Sequence, residues 1–119
     1  MCIILALLAA VHYQPTGAER QPDNLVIIDG AVIDADLLAR ELAGKPDTRV
    51  TVLPAGETSL ESIADLAARM ENLRSLHIIS HASAGRLEFG GRSYGEADLN
   101  QSRSHLGRIG AALRPDGDI

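Results

Sequence analysis

A chain of 119 residues, 45% hydrophobic and 23% charged, is long enough for one globular domain with a buried core and too short for two. Aromatic side chains make up only 3%, so that core has to be assembled from Leu, Ile, Val and Ala. A net charge of -5 argues against nonspecific nucleic-acid binding, which needs a basic face, and the single cysteine, Cys2, excludes an internal disulfide and any zinc site built on several thiolates.

The chain opens on "MCIILALLAAV" (Met1–Val11), an apolar run about half the length needed to cross a bilayer. It has the apolar centre of a secretory signal but no Lys or Arg before it, so efficient export is not expected from it. The segment "PTGAERQPDN" that follows is rich in turn formers and polar residues and has the composition of a linker. Residues 1–23 are therefore expected to be an apolar segment plus linker, with a single α/β domain over residues 24–119. The Lys and Arg residues are scattered, with no run dense enough for an anionic membrane surface.

From Leu25 the chain alternates between strand and helix. "LVIID" (25–29) is a short continuous apolar run, as expected for a strand covered on both faces. "DADLLARELAGKP" places Leu37, Leu38 and Leu42 on one helical face, with Gly44 as a stop and Pro46 beyond it. Asp34 and Asp36 have a D-x-D look, for which capping and first-turn roles are the simpler account. "RVTVL" (49–53) is a second strand bounded by Pro54 and Gly56. Thr58 and Glu61 then stand at capping-box spacing, and Leu60, Ile63, Ala67 and Met70 continue a helix at steps of three and four. "LHIIS" (76–80) is the third strand. The β-α-β-α-β order predicts a mostly parallel sheet with flanking helices, a three-layer α/β fold.

Next, Leu87 and Phe89 alternate with polar neighbours, Gly90-Gly91 supplies a tight turn, and Arg92–Tyr94 returns, which predicts a small β-hairpin after the third strand. A helix over 99–113 follows, with Leu106, Ile109, Gly110 and Leu113 inward. "RPDGD" is expected to be a turn and Ile119 the start of a further strand, so the domain is expected to be truncated at its carboxyl end. The sheet edge left by the missing strand is expected to invite self-association.

In open parallel sheets, ligands bind beyond the carboxyl ends of the strands. Asp29 and His81 both occupy such ends, and histidine is a residue type suited to general acid or base work. The plainer alternative is that Asp29 caps the following turn and His81 bonds a loop carbonyl. His77, mid-strand, is expected to be packed or loop-bonded; His12 and His105 have no partner at ligand spacing. Neither G-x-x-x-x-G-K-[ST] nor a G-x-G-x-x-G after the first strand is present, so neither a triphosphate nor a dinucleotide cofactor is expected, and no metal site. "HASAG" imitates a nucleophile elbow with Ser83 in the nucleophile slot, but His81 replaces its first glycine and a hairpin follows where a helix is required.

Four stretches, "LVIIDGAVIDADLLARELAG", "RVTVLPAGETSLESIADLAARM", "LHIISHASAGRLEFGG" and "LGRIGAALRPDGDI", together resemble the bacterial domain-of-unknown-function family 4347 over nearly all of 24–119. The resemblance implies a setting near the N-terminus of very large secreted or surface, adhesin-like proteins. It also implies a strand ending in Ser-His-Gly, a hairpin, a helix, then a strand ending in Leu-Tyr-Gly-Cys. That order is similar to the caspase and gingipain class of cysteine peptidases, with a histidine and a cysteine at adjacent strand tips. His81 carries over as the histidine. Ala82 stands where the family has glycine, and no position here carries over as the nucleophile. The expectation is a caspase-like, incomplete and non-catalytic module; the alternative is a small hydrolase using His81 with Asp29 or Ser83.

Overall fold

The computed structural model describes residues 11–13 and 21–119. The apolar run up to Ala10, and the linker up to Arg20, lie outside the described residues. Four strands run parallel: β2 (Asn24–Asp29), β3 (Thr48–Leu53), β4 (Leu73–Ile79) and β8 (Leu113–Asp118). A short strand, β1 (Val11–Tyr13), adds to β3 in the antiparallel sense, giving the sheet order β1-β3-β2-β4-β8. A second, three-stranded antiparallel sheet is formed by β5 (His81–Ser83), β6 (Arg86–Phe89) and β7 (Arg92–Tyr94). Helices α1 (Ala35–Ala43), α2 (Leu60–Ala67) and α4 (Arg103–Ala112) cover the larger sheet, and a short helix α3 (Glu96–Gln101) lies against β7 and α4.

Strand β2 is apolar on both faces because both are covered. Leu25 and Ile27 point into a core with Ile63, Leu76, Phe89 and Ile109, under α2 and α4. Val26 and Ile28 point the other way, against Ala35 and Ala39 of α1. Successive side chains of a strand leave on opposite sides, so one continuous hydrophobic run serves two helix layers. The expected α/β fold with a mostly parallel sheet is what forms.

Several local expectations are corrected. Leu37 does not share the buried face of α1: it is 58% exposed, and Ala35 and Ala39 make the contact while Leu38 and Leu42 are half-buried. Asp34 sits at the N-cap position but in the left-handed conformation (φ 59°), with no side-chain bond to the helix; Asp36 does lie in the first turn. The cap of α2 is Ser59, not Thr58. Its hydroxyl accepts from the Ser62 amide at 3.0 Å while the Ser62 hydroxyl accepts from the Ser59 amide at 2.8 Å. Serine does at the third helical position what the glutamate rule assigns to a carboxylate, and Thr58 is buried instead.

The long helix expected over 99–113 is two helices, broken at Ser102, whose hydroxyl donates to the Asp98 carbonyl at 2.9 Å. Of its expected inward face Ile109 is buried, but Ala112, not Gly110, continues it. "RPDGD" is not a free turn. It lies within β8, where five steps of chain, Leu113 to Asp118, run beside two steps of β4, Leu73 to Ser75. The surplus is taken up as an irregularity of the strand pair, which is where Pro and Gly belong in a sheet.

Because β8 pairs with β4 only at Leu73 and Ser75, the edge of β4 from Leu76 to Ile79 has no strand partner among the described residues. Unpaired amides and carbonyls beside half-buried Ile78 and Ile79 are a template for another chain. The chain is expected to self-associate in light scattering at rising concentration, and His77→Lys, which puts a charge on that edge, is expected to reduce the association. A concentration-independent monomer would contradict this.

Candidate functional site

The sheet order places β2 in the middle, with β3 on one side and β4 on the other. The chain leaves β2 toward α1 on one face and leaves β4 through the hairpin toward α4 on the opposite face, so the connections part beyond the carboxyl ends of β2 and β4. That divergence opens the crevice in which such sheets bind ligands. Asp29 ends β2, and His81 follows β4 after Ser80.

Asp29 is only 2% exposed. One carboxylate oxygen, Oδ1, accepts from the Ala31 amide at 3.1 Å, and Oδ2 accepts from the Gly90 amide at 3.2 Å. The turn is tight: the Gly30 amide donates to the Leu53 carbonyl at 2.8 Å and the Val32 amide to the Asp29 carbonyl at 2.9 Å. A Cβ at Gly30 would lie 2.5 Å from that Leu53 oxygen, so the position admits no side chain without backbone movement. His81 is exposed, and its Nε2 lies 3.4 Å from the Ala31 carbonyl oxygen. A carbonyl only accepts, so in this contact Nε2 carries the proton. The other ring nitrogen, Nδ1, has no hydrogen-bond partner among the described residues.

His81 and Asp29 thus share one cavity of about 360 Å3, together with Ala31, Glu88, Arg92 and Ser93. No hydrogen bond joins their side chains, and both are engaged by the same loop residue, Ala31. Ser83 stands two residues further along β5, and its hydroxyl donates to Glu88 Oε1 at 3.1 Å rather than to His81. His81 itself belongs to β5, paired with Glu88. The sequence gives little sign of this strand, because all three of its residues are exposed and carry no hydrophobic periodicity. Ala82 lies in the same extended strand and not among the positive-φ residues, so its Cβ meets no backbone restriction there.

His77 points to solvent, against the packed or loop-bonded role expected of it. It shares a face with Val26 and Ile79; Ile79 packs against the core beneath α1, while His77 stays exposed. A residue that sequence reasoning missed is Arg92, which lines both the His81 cavity and a neighbouring one of about 320 Å3 beside Thr58 and His105. Its signal was its place just after the Gly90-Gly91 turn, the part of a hairpin that faces a sheet's carboxyl end. A larger groove of about 680 Å3 lies on the α1 side of the β2 and β3 tips, lined in part by Gly30, Asp34, Leu37, Arg40 and Pro54. It contains neither His81 nor Asp29.

Among the described residues, no group of three or more His, Cys, Asp or Glu side chains stands close enough to hold a metal ion. None of the described helices is long and apolar enough to cross a membrane.

The fold and the site define a class: an α/β domain with a central parallel sheet and a histidine-bearing crevice at the carboxyl ends of its strands. More particularly, the family model described as "Domain of unknown function (DUF4347)" matches residues 25–119, and the chain belongs to that family. No curated protein and no solved structure matches it.

Proposed function

We propose that this chain is a caspase-like module that carries the histidine position of a cysteine-peptidase type of site and does not turn over peptides by itself. Its setting in this reading is a large bacterial surface or secreted protein, as the resemblance implies. The observation that carries the reading is the state of His81. Its ring stands at a strand tip with Nε2 3.4 Å from the Ala31 carbonyl oxygen and Nδ1 without a partner among the described residues. In its neutral form an imidazole so engaged presents the lone pair of Nδ1, which is what a thiol proton needs.

In a caspase-like arrangement the thiol stands at the tip of the strand beside the histidine's. That place next to β4 belongs to β8, whose Asp118 is level with Ser75, six positions before His81 (81 less 75). In a longer chain, about six further residues of strand would come level with the ring. The serine alternative gains no support, since the Ser83 hydroxyl is committed to Glu88 and the Asp29 carboxylate to two backbone amides.

Members of a catalytic unit act together, so a histidine without its nucleophile gives little acceleration. Against peptide libraries this chain is expected to show no turnover, and His81→Ala no change. A longer chain that continues β8 to a cysteine is expected to cleave peptides and to lose that activity on His81→Ala. Turnover by the present chain that disappears on His81→Ala or Ser83→Ala would overturn the reading in favour of a small hydrolase.

A further inference from the structure

The geometry points to Asp29 as the positioning residue of this site: one buried carboxylate sets both the orientation of the His81 ring and the place of the hairpin that faces it. The inference deepens, and rests on, the reading of His81 as the functional histidine. Two amides far apart in sequence, from Ala31 and from Gly90 61 residues beyond Asp29, converge on opposite oxygens of the same side chain. Only an acceptor with two oxygens satisfies both; an amide side chain would turn its NH2 toward one of the two N–H groups. Bonds from amides to an ionised carboxylate are also stronger than neutral ones, and here they are sheltered, with Asp29 at 2% exposure.

The consequence for His81 follows from its exposure. Little packing holds an exposed imidazole in one rotamer, so its orientation depends on hydrogen bonds. The one such contact of its ring among the described residues is from Nε2 to the Ala31 carbonyl. Ala31 is in turn fixed by its own amide on Asp29 Oδ1. Asp29 therefore acts on the ring through Ala31 without touching it. Through Oδ2 it holds the Gly90-Gly91 turn, which brings Arg92 to the other wall of the cavity. The carboxylate is a positioning group and not an acid or base, because both its oxygens are occupied by backbone donors.

Nuclear magnetic resonance of the whole chain with 15N-labelled histidine tests this without any need for turnover. His77, exposed on the neighbouring strand, serves as the reference for a solvated ring. At a pH where the imidazoles are neutral, His81 in the native chain is expected to show a larger share of the Nε2–H tautomer than His77, and the Gly90 amide is expected to be protected from exchange. In Asp29→Ala the Gly90 protection is lost and the His81 share falls to that of His77. Asp29→Asn, which keeps the side-chain size, retains one oxygen. If it keeps Gly90 protected, His81 falls to the His77 pattern; if it releases Gly90, His81 stays as in the native chain. An equal tautomer share at His81 and His77 in the native chain would overturn the inference before any variant is made. So would a His81 pattern unchanged in an Asp29→Ala chain that has lost Gly90 protection. Neither result depends on peptide cleavage, so a failure here is distinct from a failure of the peptidase reading.

Discussion

Gly90→Ala is expected to destabilise the domain by about 2–5 kcal/mol, whereas Gly91→Ala, one residue on, is expected to cost about 1–2 kcal/mol. Both residues have positive φ, 61° and 72°, as a two-residue hairpin turn of this kind requires, so each alanine pays the left-handed penalty of about 1–2 kcal/mol. Only at Gly90 is there also no room. A Cβ there would stand 1.9 Å from the Thr58 carbonyl oxygen, while at Gly91 nothing lies within 4 Å. The obstacle is backbone at the entry to α2 and cannot swing aside as a side chain would, which adds a steric cost of about 1–3 kcal/mol. Relief would require the turn to withdraw from Thr58, pulling the Gly90 amide from Asp29 Oδ2. Urea or thermal melts of the two variants side by side measure the difference. Equal costs would mean that the hairpin does not rest against Thr58.

Ile63→Ala is expected to cost about 2–5 kcal/mol, the range for deleting a fully buried branched side chain, a large part of the 5–15 kcal/mol that holds a domain folded. Ile63 is 0% exposed and packs in the core under α2 with Leu25, Ile27 and Ile109. Leu37→Ala, by contrast, is expected to change stability by no more than about 0.5 kcal/mol, because the side chain is 58% exposed. Helical spacing alone would have put Leu37 in the core. A Leu37→Ala cost equal to that of Ile63→Ala would mean that α1 is rotated relative to the sheet.

The Leu37 case shows how such spacing misleads. Leu37, Leu38 and Leu42 are close enough in angle to look like one stripe, but the face of α1 against the sheet is set by where its small residues fit. Ala35 and Ala39 let the helix lie close on Val26, Ile28, Val50 and Val52, and the larger leucines flank the contact. The capping box of α2 stands one residue further on than the Thr58–Glu61 spacing suggests. The rule puts a carboxylate at its far end, and Ser62 closes the same ring with a hydroxyl. Strand β5 leaves no mark in the sequence because an exposed three-residue strand has no burial pattern to read, and "RPDGD" reads as a turn because Pro and Gly mark irregular backbone without saying which strand it borders.

The β-α-β-α-β order from Leu25 to Ile79 was legible in the amino-acid sequence, because β2 and β3 are buried along nearly their whole length and read as apolar or β-branched runs. The Gly90-Gly91 hairpin was legible too, since few residue pairs take positive φ twice in succession. The same reasoning marked Asp29 and His81 as strand-end residues of one sheet edge. What only the tertiary structure decided is how they are related. Both meet at Ala31 rather than each other, Ser83 turns to Glu88, and Gly90 comes back to Asp29 across 61 residues. The His81 and Gly90 contacts join backbone and side chain at long sequence separation, and the Ser83 bond joins two side chains across the β5-β6 pair. Their partners are set by how β2, β4 and the hairpin pack, and a peptide N–H or C=O leaves no mark in the residue that carries it.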